Sequence, residues 1–129
     1  MSTTFTQVNL ADVDDAAPRF GFEEIQEARF ATGDLEAAET GVSHLRLKAG
    51  RRSAFGHRHD KAEEVYVVLG GNGRMKLDDD IIELRPLDAI RVAPPVTRAF
   101  EAGPHGLEVL AFGPHRAKDG EIIADWWKD

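Results

Sequence analysis

Residues 57–71 read HRHDKAEEVYVVLGG and carry the clearest structural pattern in the sequence. Within it, residues 64–69 are rich in β-branched and aromatic side chains, which is typical of a strand. Side chains alternate between the two faces of a strand, so His57 and His59 point the same way if they lie in one. The short turn before Glu64 lets an adjacent antiparallel strand begin there. Its carboxylate then folds back beside the two imidazoles.

His57, His59 and Glu64 form a candidate metal site. Each imidazole can ligate one divalent ion at about 2.1 Å. Two histidines and one carboxylate leave other coordination positions open, as in non-haem iron oxygenases, and the set would equally hold manganese, zinc, nickel or copper. Glu63 is a rival ligand, but Glu64 shares a strand face with Tyr66, which favours Glu64. In the alternative interpretation the three side chains are hydrogen-bonded pocket residues without a metal.

Short strand-like segments recur along the chain. Polar–apolar alternation and β-branched residues predict strands at residues 42–48, 55–59, 64–69, 74–77, 81–84, 89–92, 98–100 and 107–112. Turns separate them, including Gly-Gly-Asn-Gly at 70–73. Many short strands and almost no helix indicate an all-β antiparallel sandwich or barrel. We expect a single domain with an N-terminal arm over 1–40, a barrel core over 41–114 and a short C-terminal tail over 115–129.

Composition limits the partners and the chemistry. The 129 residues include no cysteine, which excludes disulfides and a cysteine nucleophile and suits a reducing cytoplasm. A net charge of −7 disfavours nucleic-acid and anionic-membrane partners. No apolar run approaches the roughly 20 residues that span a bilayer, and the first residues do not resemble a secretion signal. We therefore expect a cytoplasmic protein with a small-molecule ligand, no nucleic acid and no membrane partner.

The spacing of these residues resembles the first motif of the cupin family. That motif has a glycine, then His-x-His, three or four residues, a glutamate, six residues and a glycine. His57, His59, Glu64 and Gly71 match it, with four residues between His59 and Glu64. Gly50 is the best match to the opening glycine, one residue off the usual interval.

The second cupin motif is matched only in part by residues 87–98. Leu87 replaces a glycine, and Ala93 and Pro95 stand in place of a proline and a glycine. Arg98 occupies the position of the fourth metal ligand, which is usually a histidine. The resemblance covers roughly residues 41–112.

The resemblance implies a double-stranded β-helix, or jelly-roll, cupin barrel with a pocket at one end and a homodimer. Cupins include dioxygenases, isomerases, decarboxylases, epimerases and non-catalytic binders, so the fold alone does not fix the function. We expect a small, anionic molecule bound at the divalent ion, with oxygenation or isomerisation as candidate reactions. The alternative is a metal-free cupin that acts as a ligand binder or a dimeric module without turnover.

Arg98 departs from the family pattern with consequences for the site. A guanidinium has no lone pair to offer a cation and stays charged, so it cannot be a ligand. It either anchors an anionic group of the substrate or pairs with Glu64 in a pocket that no longer uses a metal. A position on the rim, paired with surface carboxylates, is a further alternative. Tyr66 is a candidate substrate-binding residue through its phenol, and a packed core aromatic otherwise.

Three further histidines and the C-terminal tryptophans need separate interpretations. His44 shares a strand face with Arg46 and Lys48, so we expect an exposed or interface histidine, and otherwise a replacement ligand if that face turns inward. His105 and His115 each follow a Gly-Pro pair and are predicted to lie in loops. For Trp126 and Trp127 we expect a tail that folds back over apolar surface or a dimer seam.

Overall fold

The computed structural model describes residues 4–116 and 118–127. That part of the chain contains two short 3-10 helices, η1 (Leu10–Asp12) and η2 (Ala17–Phe20), followed by eight strands. The strands are β1 (Gln26–Phe30), β2 (Thr40–Leu47), β3 (Phe55–His59), β4 (Glu64–Leu77), β5 (Asp80–Leu84), β6 (Ala89–Val92), β7 (Arg98–Pro114) and β8 (Gly120–Ala124). No helix among these residues is long and apolar enough to cross a membrane.

The strands form a curled antiparallel sheet. One path through it has the order β1-β2-β7-β3-β8, while β4 pairs with β5, β6 and β7. Strands β4 and β7 run beside each other for most of their length, from the pair Val65–Phe112 to the pair Leu77–Arg98. Because both long strands also pair with other strands, the sheet bends around a common interior. This architecture confirms the predicted all-β fold.

The predicted turn at residues 70–73 is wrong, because β4 runs through it without a break. Register shifts occur here between β4 and β7. A Cβ on Gly71 would lie 2.1 Å from the carbonyl oxygen of Gly106, and a Cβ on Gly73 would lie 2.1 Å from that of Glu101. The glycines therefore allow two bent strands to approach closely instead of reversing the chain. The two short strands predicted at 98–100 and 107–112 are likewise one continuous strand, β7.

Both ends of the chain add strands to the barrel. In the arm, β1 pairs with β2, and near the C-terminus β8 pairs with the whole of β3. The chain beyond β8 folds back on the sheet. Trp126 packs so closely on Gly56 that a Cβ there would lie 2.8 Å from its ring. The Trp127 ring lies 4.9 Å from the guanidinium of Arg52 and 5.4 Å from that of Arg74.

The core lies on the inward faces of these strands. The buried apolar cluster consists of Leu47, Tyr66, Val68, Met75, Leu84, Val92, Phe100, Ala102, Leu107, Val109 and Ala111. Each large side chain in it contributes about 1.5–3 kcal/mol by leaving water. Leu47, Tyr66 and Phe100 also line a cavity, so the packed core forms part of the wall of that cavity. The rigid core thereby fixes the position of the residues around the cavity.

Candidate functional site

His57, His59 and Glu64 converge in the structure as the strand periodicity predicts. The two histidines lie on the same face of β3, and Glu64 begins β4. One ligand atom from each of the three lies within 4.8 Å of the other two. The Glu64 Oε1 atom is 3.0 Å from the His59 Nε2 atom and 3.3 Å from the His57 Nε2 atom. All three side chains are partly buried and line the cavity.

These separations fit the donor set of a metal centre. Ligands at about 2.1 Å from a common ion are separated by about 3.0–3.4 Å in octahedral or tetrahedral geometry. Both measured oxygen–nitrogen distances lie in that range. Two imidazole nitrogens and one carboxylate oxygen are also a chemistry that first-row divalent ions accept. The residues present therefore fit one such ion.

Asp119 supports the cluster from outside it, and sequence reasoning missed this residue. Its Oδ2 atom lies 3.2 Å from the Nδ1 atom of His59, which leaves Nε2 directed toward Glu64. The same carboxylate accepts the backbone N–H groups of Lys61 and Ala62 at 2.9 and 3.0 Å. Burial opposes ionisation of Asp119, yet these donors and His59 hold its pKa below the ordinary value. A carboxylate behind a ligating histidine orients the ring and increases its basicity.

The pKa values of the cluster reflect its hydrogen bonds. The Tyr66 hydroxyl donates to Glu64 Oε1 at 2.6 Å and lies 3.3 Å from His57 Nε2. Burial favours the neutral carboxyl, but the hydrogen bonds to His57, His59 and Tyr66 hold the pKa of Glu64 far below its usual range. The hydrogen bond to Glu64 raises the pKa of His59. Burial raises the pKa of Tyr66, so its phenol stays protonated as a donor.

Arg98 is buried inside the barrel, so the alternative that places it on the rim is wrong. Its side chain is 0% exposed, and it lies opposite His57 in the pairing of β3 with β7. The Nη2 atom is 3.8 Å from Glu64 Oε1, an ion-pair contact without a hydrogen bond. The Nη1 atom donates to the carbonyl oxygen of Pro94 at 3.4 Å. Among the residues that the structure describes, neither Nε nor Nη2 has a hydrogen-bond partner.

The cavity beside this cluster has a volume of about 460 Å³. Its polar end carries the three candidate ligands together with Tyr66 and Arg98. Apolar side chains make up much of the remaining wall, namely Leu45, Leu47, Phe55, Phe100, Phe112 and Ile122. A concave, largely apolar site of this size with a few convergent polar groups is typical of small-molecule binding.

The other histidines lie elsewhere. His44 is only 8% exposed, and its Nε2 atom is 2.6 Å from Glu108, so the prediction of an exposed histidine is wrong. It lies on the opposite face of β2 from the cavity residues Ser43 and Leu45 and does not replace the missing ligand. His105 is exposed but belongs to β7 rather than to a loop. His115 directly follows β7 and lines the cavity.

Comparisons with known proteins give relatives by sequence and by fold. No protein-family model matches the chain. An uncharacterised protein, MJ1618, of Methanocaldococcus jannaschii is 33% identical over 70 residues, a match that covers 52% of this chain and 56% of that protein. The chain therefore matches only about half the length of this curated relative.

Three solved structures share the whole fold. A cupin protein from Bacteroides fragilis has a TM-score of 0.70 at 22% identity, covering 99% of both chains. The polyketide cyclase RemF from Streptomyces resistomycificus has a TM-score of 0.73 at 19% identity, covering 96% of this chain and 87% of that one. Oxalate decarboxylase from Bacillus subtilis has a TM-score of 0.77 at 19% identity, covering 98% of this chain and 34% of that one. This chain therefore has the cupin fold.

Proposed function

We propose that this protein binds a small molecule in the barrel cavity at one divalent metal ion held by His57, His59 and Glu64. The observation that carries the proposal is the convergence of three metal-binding side chains within 4.8 Å at the polar end of a cavity of about 460 Å³. Two imidazoles and a carboxylate at such spacing are a donor set that a divalent ion accepts.

Each neighbouring side chain has a role in this proposal. Asp119 keeps the His59 ring in place, and Tyr66 holds the Glu64 carboxylate through the hydrogen bond of 2.6 Å. Arg98 faces the anionic group of the ligand, and the apolar wall excludes water from around it. The ion, when bound, supplies a Lewis acid, or a redox partner if it is iron, manganese or copper. Oxygenation and isomerisation are the reactions that the family resemblance makes the first to test.

A metal-free ligand binder is the second candidate function. The observation that favours it is that Glu64 Oε1 already has Tyr66, His57 and His59 within hydrogen-bonding distance. Such a cluster satisfies its own buried charge without an ion. The homodimer and the cytoplasmic location that we expect from the sequence stay predictions in either case.

Metal content separates the two candidates. We would purify the protein without a nickel column or chelator and measure bound metals by mass spectrometry for wild type, His57→Ala and His105→Ala. We expect about one ion per chain in wild type, since the cluster forms a single site. His57→Ala should lose the ion, while the exposed control His105→Ala should keep it. Circular dichroism checks the fold of each variant. If wild-type protein contained no metal and took up none after Co²⁺ was added, the metal function would be refuted. The metal-free ligand binder would then be the remaining candidate.

A further inference from the structure

We infer that the cavity takes a monocarboxylate with an aromatic or otherwise apolar body, and that the Nε–Nη2 edge of Arg98 holds its carboxylate. This inference rests on the proposed function because it concerns the same cavity, and it names the class of ligand.

The free edge of the Arg98 guanidinium is the first support. Nη1 is directed to Pro94, whereas Nε and Nη2 have no hydrogen-bond partner among the described residues. Nε and Nη2 lie on one side of the planar guanidinium and donate in parallel, a geometry that matches the two oxygens of a carboxylate. Buried charged donors normally have hydrogen-bond partners. The carboxylate beside this edge, Glu64, is an ion-pair contact of Nη2 at 3.8 Å and not a hydrogen bond, so the fully buried edge indicates a missing acceptor.

The charge around the edge is the second support. Within the described lining of the cavity, the charged side chains of fixed sign that are buried or partly buried are Arg98 and Glu64. Glu121 and Arg116 also line the cavity, but both are exposed, and Glu121 is paired with Arg58 at 2.9 Å. Arg98 and Glu64 balance each other, so a bound dication leaves the polar end with excess positive charge. An anionic ligand removes that excess, whereas a neutral ligand does not.

The apolar side chains that line the cavity are the third support, and they indicate that the ligand has an apolar body. Phe55, Phe100 and Phe112 line the cavity together with Leu45 and Leu47. Hydroxyl groups placed against such side chains lose their hydrogen bonds to water and gain none, which disfavours a sugar-like molecule. An apolar body gains from the same burial, and aromatic rings pack favourably on other rings.

Three probes separate the body of the ligand from its charge. Phenylacetate has both, phenylacetamide keeps the body without the charge, and acetate keeps the charge without the body. We would measure their affinities by calorimetry with Zn²⁺-loaded and with metal-stripped protein. We expect wild-type protein to bind phenylacetate at least about tenfold more tightly than either of the other probes, as a charge-assisted bidentate contact allows. Equal binding of phenylacetate and phenylacetamide would overturn the inference.

Variants at position 98 test the edge itself. Arg98→Gln should weaken phenylacetate by about tenfold or more while phenylacetamide changes little, and Arg98→Lys should fall between, because it keeps the charge without the parallel donors. The exposed Arg91, paired with Glu63, provides the matched control Arg91→Gln, which should bind as wild type does. If the Arg98→Lys variant bound phenylacetate as tightly as wild type, the proposed bidentate contact would be refuted.

The two proposals fail separately in this design. Arg98-dependent binding of phenylacetate to a protein that takes up no metal would refute the proposed metal function and keep this inference. If the protein took up metal through His57 but bound the three probes equally, the proposed metal function would stand and this inference would be refuted. Thermal melting with circular dichroism checks that each variant is folded. If Arg98→Gln does not fold, the comparison of the probes on wild type and Arg98→Lys still decides the outcome.

Discussion

Removing the charge of Arg98 should strengthen metal binding in the absence of a ligand. The Nη2 atom lies 3.8 Å from Glu64 Oε1, and the side chain is fully buried, so little solvent screens it. A dication on that oxygen would share a small volume with a fixed positive charge. The variant Arg98→Gln keeps a polar side chain of similar length but removes this repulsion.

The size of the effect follows from the distance. An ion about 2.1 Å from Oε1 lies no more than about 6 Å from Nη2, because the two distances can at most add. Between a dication and a monovalent charge at about 6 Å, the repulsion is about 1.4 kcal/mol even at the dielectric constant of water. At the effective value of about 20 that suits buried sites it is about 5.5 kcal/mol. The lower figure alone corresponds to about a tenfold change in affinity.

Competition with a fluorescent chelator measures this change. We would titrate Zn²⁺ and Mn²⁺ into stripped wild type, Arg98→Gln and the exposed control Arg91→Gln. Arg98→Gln should bind each ion at least about tenfold more tightly, and Arg91→Gln should stay within about twofold because solvent screens its charge. A folded Arg98→Gln protein with unchanged or weaker affinity would refute the electrostatic reasoning. It would place the ion, if any, away from Glu64.

Three further predictions concern the same site and one turn. The hydrogen bond to Glu64 raises the pKa of His59, so a proton competes with the ion, and metal affinity should fall about tenfold per pH unit below that pKa. Chelator titrations at several pH values test this, and a flat profile would contradict it. Asp119→Asn should lower metal affinity about tenfold by removing the charge behind His59; the same assay measures it, and wild-type affinity would argue against an orienting role. Leu87→Gly should stabilise the fold by about 0.5–1 kcal/mol in urea unfolding, because Leu87 is 83% exposed at φ 74°. No gain would mean that the turn tolerates the leucine without strain.

The local part of the site was predictable from sequence because it depends on strand periodicity. His57 and His59 share a face through the two-residue repeat of β3, and Glu64 follows after one short turn. The partial second motif also located Arg98 correctly beside them. Leu87, noted as replacing a glycine, adopts the left-handed conformation that a glycine favours.

What the sequence did not predict depends on contacts between distant residues. Glycines at 70–73 favour a turn locally, but the close approach of β7 uses them inside a bent strand. Asp119 lies 60 residues from His59 in the sequence, and only the pairing of β8 with β3 brings the two side chains together. For His44, the alternation gave the correct face of β2 but could not show that Glu108 pairs with it and that the outer face is covered there.

The proton and the metal ion are alternative occupants of the same imidazole nitrogen. Without an ion, the His59 Nε2 atom lies 3.0 Å from Glu64, and the raised pKa of His59 means that a proton is readily held between them. An ionised carboxylate has about four lone-pair positions, so Tyr66 can keep its hydrogen bond while an ion takes another position. The contacts of Glu64 in this structure are therefore the ones that an ion would replace or share, and they do not decide between the two candidate functions. Under the proposed metal function, the positive charge of Arg98 opposes an ion that binds alone and favours an ion that binds together with an anionic ligand.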